Sequence, residues 1–165
     1  MRMKLVSLIA ASILLAACET APSTTGTSGG AGAATGATTT SPTSGPTPGS
    51  QQDLVVNVGD RVFYDFNKSD LKPEARRTLE RQAAWLKQYA TVRVTIEGHC
   101  DERGTREYNL ALGERRANAA KDYLASLGIP TARLSTISYG KERPAVLGSN
   151  EAAWSQNRRA VTVVQ

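Results

Sequence analysis

Histidine and cysteine are scarce in this 165-residue chain, which has one histidine and two cysteines. The histidine, His99, is followed directly by Cys100, Asp101 and Glu102. Zinc sites draw their ligands from separated pairs, and a nucleophilic cysteine needs a base and an orienting group that the fold brings to it. The sequence therefore predicts no metal site, no cofactor and no catalytic activity at this segment.

Blocks of like charge are also missing. The formal net charge of +5 includes Arg2 and Lys4, which belong to the signal described below, so the mature chain carries about +3. Acidic and basic residues alternate, as in Glu114-Arg115-Arg116. A nucleic-acid-binding arm would instead concentrate lysine and arginine in one block. We therefore expect no nucleic-acid partner.

The apolar run at the start of the chain is too short to cross a bilayer. Arg2 and Lys4 precede about twelve mostly apolar residues from Leu5 to Ala16. A spanning helix needs about 20 such residues. The pattern is typical of a secretory signal, which we assign to residues 1–17.

A cysteine follows this signal directly. Residues 15–18, Leu-Ala-Ala-Cys, resemble a bacterial lipobox, in which the chain is cleaved before a cysteine whose thiol is acylated. Cys18 is thus the predicted lipid attachment site, and three acyl chains exceed what stable membrane anchoring requires. Because residue 19 is Glu rather than Asp, lipoprotein sorting rules favour the outer membrane, with the rest of the chain in the periplasm.

Residues 18–52 contain little that could build a core. From Glu19 to Ser50 the chain is made of Gly, Ala, Ser, Thr and Pro, with a single charge at Glu19. This composition predicts a disordered tether. As a random coil, about 30 residues span about 30 Å, and full extension reaches about 100 Å. Cys100 then has no disulfide partner, because Cys18 carries lipid at the far end of the tether.

Residues 53–165 have the periodicity of one α/β domain with one core. Apolar alternation predicts strands through Val62, Tyr64 and Phe66, through Val92 to Gly98, through Leu134 to Tyr139, and through Arg159 to Val164. Helical spacing predicts a helix opened by Pro73, one from about Thr105 to Leu127, and a short one capped by Asn150. The predicted order is βαβαβαβ, with a layer of helices on one sheet.

The loop after the second predicted strand looks suited to a ligand. Asp101 lies in this loop, while Asn109, Leu112 and Arg116 follow at spacings of three and four and share one helical face. An acid and a base facing each other match a zwitterion, because a carboxylate takes an ammonium and a guanidinium binds a carboxylate through two parallel hydrogen bonds. Asn109 can both donate to and accept from a peptide. Leu112 could contact the ligand or belong to the core.

Four further residues are candidates for a role at or near this loop. Thr105 lies at the predicted helix start, where free N–H groups attract a carboxylate. Cys100 suggests an exposed, oxidation-sensitive thiol beside the site. Arg158 and Arg159 could form either a partner surface or an ion-paired structural corner.

These motifs resemble the peptidoglycan-binding signature of OmpA-like domains. The signature is G-H-x-D-x-x-G from Gly98, followed by Asn109, Leu112 and Arg116-Ala117, and similar strings at 63–66, 138–148 and 157–161 extend the resemblance over about 60–165. It implies a two-layer sandwich, with a mixed sheet and helices on one face. In that family the residues matching Asp101 and Arg116 hold the diaminopimelate end of a peptidoglycan stem peptide. The resemblance also places Phe66 and Asn67, at the end of the first strand, beside the bound peptide.

The resemblance further implies a function for the whole chain. It suggests an outer-membrane lipoprotein that links the membrane to the cell wall noncovalently, within the Tol system that supports envelope integrity and outer-membrane constriction at division. The implied protein partner is TolB, over the same face as peptidoglycan. Two alternatives stay open, a lipoprotein scaffold whose wall affinity is incidental and a wall hydrolase that releases soluble fragments.

Overall fold

A four-stranded mixed sheet organises the protein, whose computed structural model describes residues 45–165. Its strands lie in the order β1-β4-β2-β3. β2 pairs in parallel with β3, and β4 is antiparallel to both of its neighbours. The bounds are Arg61–Phe63 for β1, Val94–His99 for β2, Leu134–Gly140 for β3 and Arg159–Val164 for β4.

The helices alternate with these strands, so the predicted βαβαβαβ order and the α+β class are confirmed. They are α1 (Gln51–Asp53), α2 (Pro73–Gln88), α3 (Arg106–Ser126) and α4 (Glu151–Asn157). α1 continues into a π-helical turn at Leu54–Val58, and a 3-10 turn covers Thr131–Arg133. The sequence did not predict α1 or these two turns, because segments of three to five residues are too short to show helical periodicity.

Local chemistry explains where the main helices begin and end. Pro73 occupies the first turn of α2, where its missing N–H costs nothing. The side chains of Thr105 and Asn150 cap α3 and α4 by accepting backbone N–H bonds at 3.2 and 3.0 Å. Gly128 follows α3 with a φ of 91°, a left-handed conformation that favours glycine.

The core lies between the sheet and helices α2 and α3. Each fully buried aliphatic side chain contributes about 1.5–3 kcal/mol relative to leaving it exposed. The buried strand residues include Val62, Val94, Ile96, Leu134 and Ala160, and the helices contribute Leu79, Leu86, Ala117 and Leu124.

Two facing glycines bring α3 directly onto the sheet. A Cβ atom placed on Gly98 of β2 would lie 1.9 Å from the carbonyl oxygen of Gly113 in α3. A Cβ on Gly113 would lie 2.3 Å from Oγ of Ser138 in β3. Only glycine fits at position 98, and the close contact holds the N-terminal half of α3 at the carboxyl ends of β2 and β3.

The first strand is shorter than predicted. Alternation suggested that it extends to Phe66, but β1 ends at Phe63. The chain then turns, because the N–H of Lys68 donates to the carbonyl of Asp65 at 3.2 Å and Asn67 has a φ of 58°. Phe66 and Asn67 therefore lie in a turn beyond the strand. Phe66 is not a core residue, since 57% of it is exposed.

The predicted signal, Cys18 and the tether up to residue 44 lie outside the described residues. The division into residues 1–17, 18–52 and 53–165 therefore stays a prediction. Between residues 45 and 165, no helix has the length and apolar character needed to cross a membrane.

Candidate ligand-binding site

A cleft of about 180 Å³ lies at the carboxyl end of β2, beside α3. Six of the seven residues predicted to contact peptidoglycan line it, and Arg103 and Tyr108 join them. The seventh, Thr105, is not part of the lining, and its hydroxyl is used to cap α3. The complete lining is Phe66, Asn67, Cys100, Asp101, Arg103, Gly104, Tyr108, Asn109, Leu112 and Arg116.

Arg116 forms the fixed wall of the cleft. It is 0% exposed, and its guanidinium donates to the carbonyls of Lys68 (Nε, 2.9 Å), His99 (Nη1, 2.8 Å) and Asp65 (Nη2, 3.1 Å). Burial lowers the pKa of Arg116 from its usual value. Since a guanidinium has five N–H groups, one remains on each terminal nitrogen. Arg116 therefore joins α3 to the turn after β1 and to the end of β2, and it keeps one further N–H group on each terminal nitrogen.

Asp101 is only 4% exposed and already has cationic partners. Its Oδ2 accepts from Nη2 of Arg103 at 2.6 Å and from Nη1 of Arg158 at 3.4 Å, and its Oδ1 accepts from Nε of Arg103 at 3.2 Å. Burial opposes ionisation, but these hydrogen bonds together outweigh it and hold the pKa of Asp101 below its usual value. The sequence predicted an acid facing Arg116 across a gap but did not predict these arginine partners of Asp101.

The side chain of Arg103 is held between two aromatic rings. Its Cζ lies 4.0 Å from the ring centroid of Phe66 and 4.0 Å from that of Trp154, both within cation–π distance. Trp154 in turn donates from Nε1 to the carboxylate of Glu102 at 3.0 Å. This arrangement joins α4 to the loop that carries Asp101.

Asn109 and Tyr108 organise the lip of the cleft. Buried Asn109 donates from Nδ2 to the carbonyls of Arg103 at 2.8 Å and Thr105 at 3.0 Å. Its N–H groups therefore hold the loop, rather than being free for a peptide as the sequence suggested. The hydroxyl of Tyr108 donates to Oδ1 of Asn67, which connects α3 to the turn after β1.

Two residue assignments from the sequence change in the fold. Cys100 is buried, its Sγ donates to the carbonyl of Asn109 at 3.4 Å, and burial raises its pKa. The expected exposed, oxidation-sensitive thiol is therefore wrong, because thiolate character and access are both reduced. Arg158 is ion-paired with Asp101 and Glu151, which agrees with the interpretation of a structural corner.

Sequence reasoning missed Arg103 and Tyr108. Arg103 stands two residues after Asp101, inside the motif, so a loop cation next to a candidate acid was the available signal. Nothing local showed that Phe66 and Trp154 converge on it. Within residues 45–165, no group of three or more His, Cys, Asp or Glu side chains is arranged to hold a metal ion.

The sequence profile of the OmpA family matches residues 63–158, more than half of the chain. The chain therefore belongs to the OmpA family. Its relatives within the family include peptidoglycan-associated lipoproteins. The one from Agrobacterium fabrum is 59% identical over 117 residues, which cover 71% of this chain and 66% of the relative, just under two thirds of its length. The one from Brucella melitensis is 60% identical over 117 residues, covering 71% of this chain and 70% of the relative.

Solved structures agree on the fold. The peptidoglycan-associated lipoprotein from Burkholderia pseudomallei has a TM-score of 0.63 and 42% identity, covering 64% of this chain and 90% of that chain. The C-terminal domain of Helicobacter pylori MotB has a TM-score of 0.60 at 18% identity, over 64% of this chain and 84% of that chain. At that identity, the likeness to MotB concerns the fold alone.

Proposed function

We propose that this protein binds peptidoglycan noncovalently and links the cell wall to the outer membrane through lipid on Cys18. The observation that carries the proposal is the cleft, where a buried carboxylate and a buried guanidinium lie among the residues of the OmpA-like signature. The high identity to peptidoglycan-associated lipoproteins supports the same ligand.

The chemistry of the cleft favours the zwitterionic end of a diaminopimelate side chain. Its ammonium would bind the carboxylate of Asp101, and its carboxylate would bind the two remaining terminal N–H groups of Arg116. Lysine carries the ammonium without the carboxylate. A stem peptide with lysine in place of diaminopimelate is therefore the closest test of this specificity.

The cleft is suited to binding rather than to hydrolysis. Asp101 is an ionised acceptor with a lowered pKa, and the Cys100 thiol is buried with a raised pKa. The ring of His99 contacts Glu97 and Tyr139, away from the cleft-lining set. A general acid would need a raised pKa, and an activated thiol nucleophile would need a lowered one. We therefore assign no catalytic residue.

The site assignment is tested by calorimetry of the full-length chain with the diaminopimelate stem peptide and its lysine counterpart. Asp101→Asn should weaken binding of the diaminopimelate peptide by about 2–5 kcal/mol, because it removes the charge that holds the ammonium. Exposed Asp122 on α3 supplies the control Asp122→Asn, which should bind as the unmodified chain does.

Two results would contradict this assignment. If the Asp101→Asn variant remains folded and binds with undiminished affinity, then Asp101 is not the carboxylate that holds the ligand's ammonium. If the unmodified chain binds neither peptide, the function itself is wrong, and a scaffold for protein partners becomes the better description.

We further propose that the protein works in the Tol system in envelope integrity and cell division, with TolB bound over the face that contains the cleft. An exposed apolar tip near the cleft supports a protein partner. Leu147 is 87% exposed, and the loop before it is held by Asn157, whose Oδ1 accepts from the N–H groups of Ala145 at 2.7 Å and Val146 at 3.1 Å. Leu147 and Glu102 line a second cleft of about 210 Å³, and Glu102 adjoins Asp101 in sequence.

Shared use of this face predicts that TolB and stem peptide exclude each other. Adding saturating stem peptide should release TolB from the immobilised full-length chain. Recovery of a stable ternary complex would show that the two sites are separate.

A further inference from the structure

Arg103 occupies the place that a ligand's ammonium would need. Its guanidinium contacts both carboxylate oxygens of Asp101, at 2.6 and 3.2 Å, and its own backbone N–H donates to Oδ1 at 3.2 Å. The rings of Phe66 and Trp154 lie on it at 4.0 Å each. A carboxylate with aromatic rings close by is the environment that proteins use to bind organic cations. At Asp101, that cation is the protein's own side chain.

The second arginine on Asp101 is held differently. Arg158 has a side chain only 7% exposed, and it also donates to the carbonyl of Tyr64 at 3.1 Å and pairs with Glu151. Arg103 has a side chain 31% exposed, and within residues 45–165 its guanidinium hydrogen bonds go to Asp101 alone. Of the two, Arg103 is the cation that a ligand can displace.

Displacement would require movement of a side chain and not of the loop. The carbonyl of Arg103 is fixed by Nδ2 of Asn109 at 2.8 Å. Nζ of Lys141 donates to the carbonyls of Glu102 at 3.2 Å and Gly104 at 2.8 Å, one on each side of Arg103. The backbone is therefore held in place while the guanidinium end, partly exposed, can rotate out.

We propose that Arg103 determines specificity by exchange: the ligand's ammonium displaces it from Asp101, and the freed guanidinium then binds the ligand's carboxylate. This inference rests on the proposed function and deepens it. A ligand with only an ammonium takes over the Asp101 carboxylate and leaves the displaced Arg103 guanidinium without a carboxylate partner. A zwitterionic ligand recovers an arginine–carboxylate pair in exchange. Arg103 thus rejects simple amines, a role that fixed Arg116 alone does not provide.

The test compares two peptides on the full-length chain by calorimetry, one with diaminopimelate and one with lysine at the same position. Arg103→Gln should weaken binding of the diaminopimelate peptide and strengthen binding of the lysine peptide. We expect the ratio of the two affinities to fall at least about tenfold. The matched control is Arg106→Gln, because Arg106 is exposed at the start of α3, pairs with Glu142 and does not line the cleft.

Arg103→Lys separates charge from geometry. Lysine keeps a cation beside Asp101 but lacks the planar fork, so we expect it to restore the rejection of the lysine peptide without restoring full affinity for the diaminopimelate peptide.

Each remaining outcome has one meaning. If Arg103→Gln weakens both peptides by the same factor, or changes neither, the exchange is wrong while the proposed function stands. If the unmodified chain binds neither peptide, the proposed function fails and this inference fails with it. The two failures are distinguishable because only the first leaves discrimination in the unmodified chain.

Discussion

The two sides of the cleft each contain an arginine, but they hold it in different ways. On the α3 side, Arg116 is fully buried and donates to three backbone carbonyls, two in the turn after β1 and one at the end of β2. On the loop side, Arg103 is partly exposed and is held by one carboxylate and two aromatic rings. Backbone carbonyls cannot move away from a buried cation without unfolding, whereas a carboxylate can exchange one cation for another. The same residue type therefore supports the fold on one side and remains exchangeable on the other.

The surrounding backbone explains this difference. Arg116 belongs to the part of α3 that follows the Gly98–Gly113 contact, so its helix is pressed onto the sheet. Arg103 lies in a loop whose next residue, Gly104, has a φ of 92°. The fixed side is built from regular structure, and the exchangeable side from a loop that is held by hydrogen bonds to its backbone and to the side chains of Asp101 and Glu102.

The comparison of the two arginines predicts the largest effect on stability for the substitution of Arg116. Arg116→Ala should lower the free energy of unfolding by about 3–5 kcal/mol, because three carbonyls lose their donor and a buried side chain is deleted. Urea unfolding measures this. Neighbouring Arg115 is exposed, and Arg115→Ala should cost less than about 0.5 kcal/mol. Equal effects of the two substitutions would show that Arg116 is not the structural arginine.

We expect a smaller effect on stability from a change of pH, through the ring of His99. The backbone carbonyl of His99 accepts a hydrogen bond from Arg116, so this residue belongs to the fixed side of the cleft. Burial, assisted by the charge of Arg159, lowers the pKa of His99 from 6.5 to about 4. Between these values the unfolded chain binds the proton more readily, so stability is fully present above pH 6.5 and is lost as the pH falls toward 4. The free energy of unfolding should drop by about 2 kcal/mol between pH 7 and pH 5.

The measurement is urea unfolding at both pH values for the unmodified chain and for His99→Gln. The substitution should flatten this dependence, since most carboxylates titrate below pH 5. A decline of the same size in His99→Gln would assign the pH dependence to another group.

Much of the fold could be predicted from the sequence because its elements carry strong local signals. α3 has a capping threonine, a long apolar stripe and a terminal glycine, so its predicted limits at Thr105 and Leu127 agree with its cap residues. The same local signals predicted the order of strand, loop and helix, and this order brings Asp101 and Arg116 to one cleft. Their roles in binding peptidoglycan remain predictions.

The pairing inside the cleft could not be predicted, because it depends on contacts between distant segments. Asp101 and Arg158 are 57 residues apart in sequence, and Phe66 and Trp154 meet Arg103 only after three elements have packed. The burial of Cys100 likewise depends on how closely α3 approaches β2. The local sequence pattern indicates which residues share a face of a helix or strand, but it does not show which charged side chains pair with each other.

The central position of β4 has a consequence for how the domain is made. β4 lies between β1 and β2, so residues 159–164 must be synthesised before β1 gains any neighbour in the sheet. The continuous unit of β2, α3 and β3 can form earlier, since its parallel strands pair directly with each other. Closing the long chain segment between β1 and β4 is slow compared with local contacts. During synthesis, the first strand therefore has no partner in the sheet, and closure of the sheet is a late event in folding of the domain.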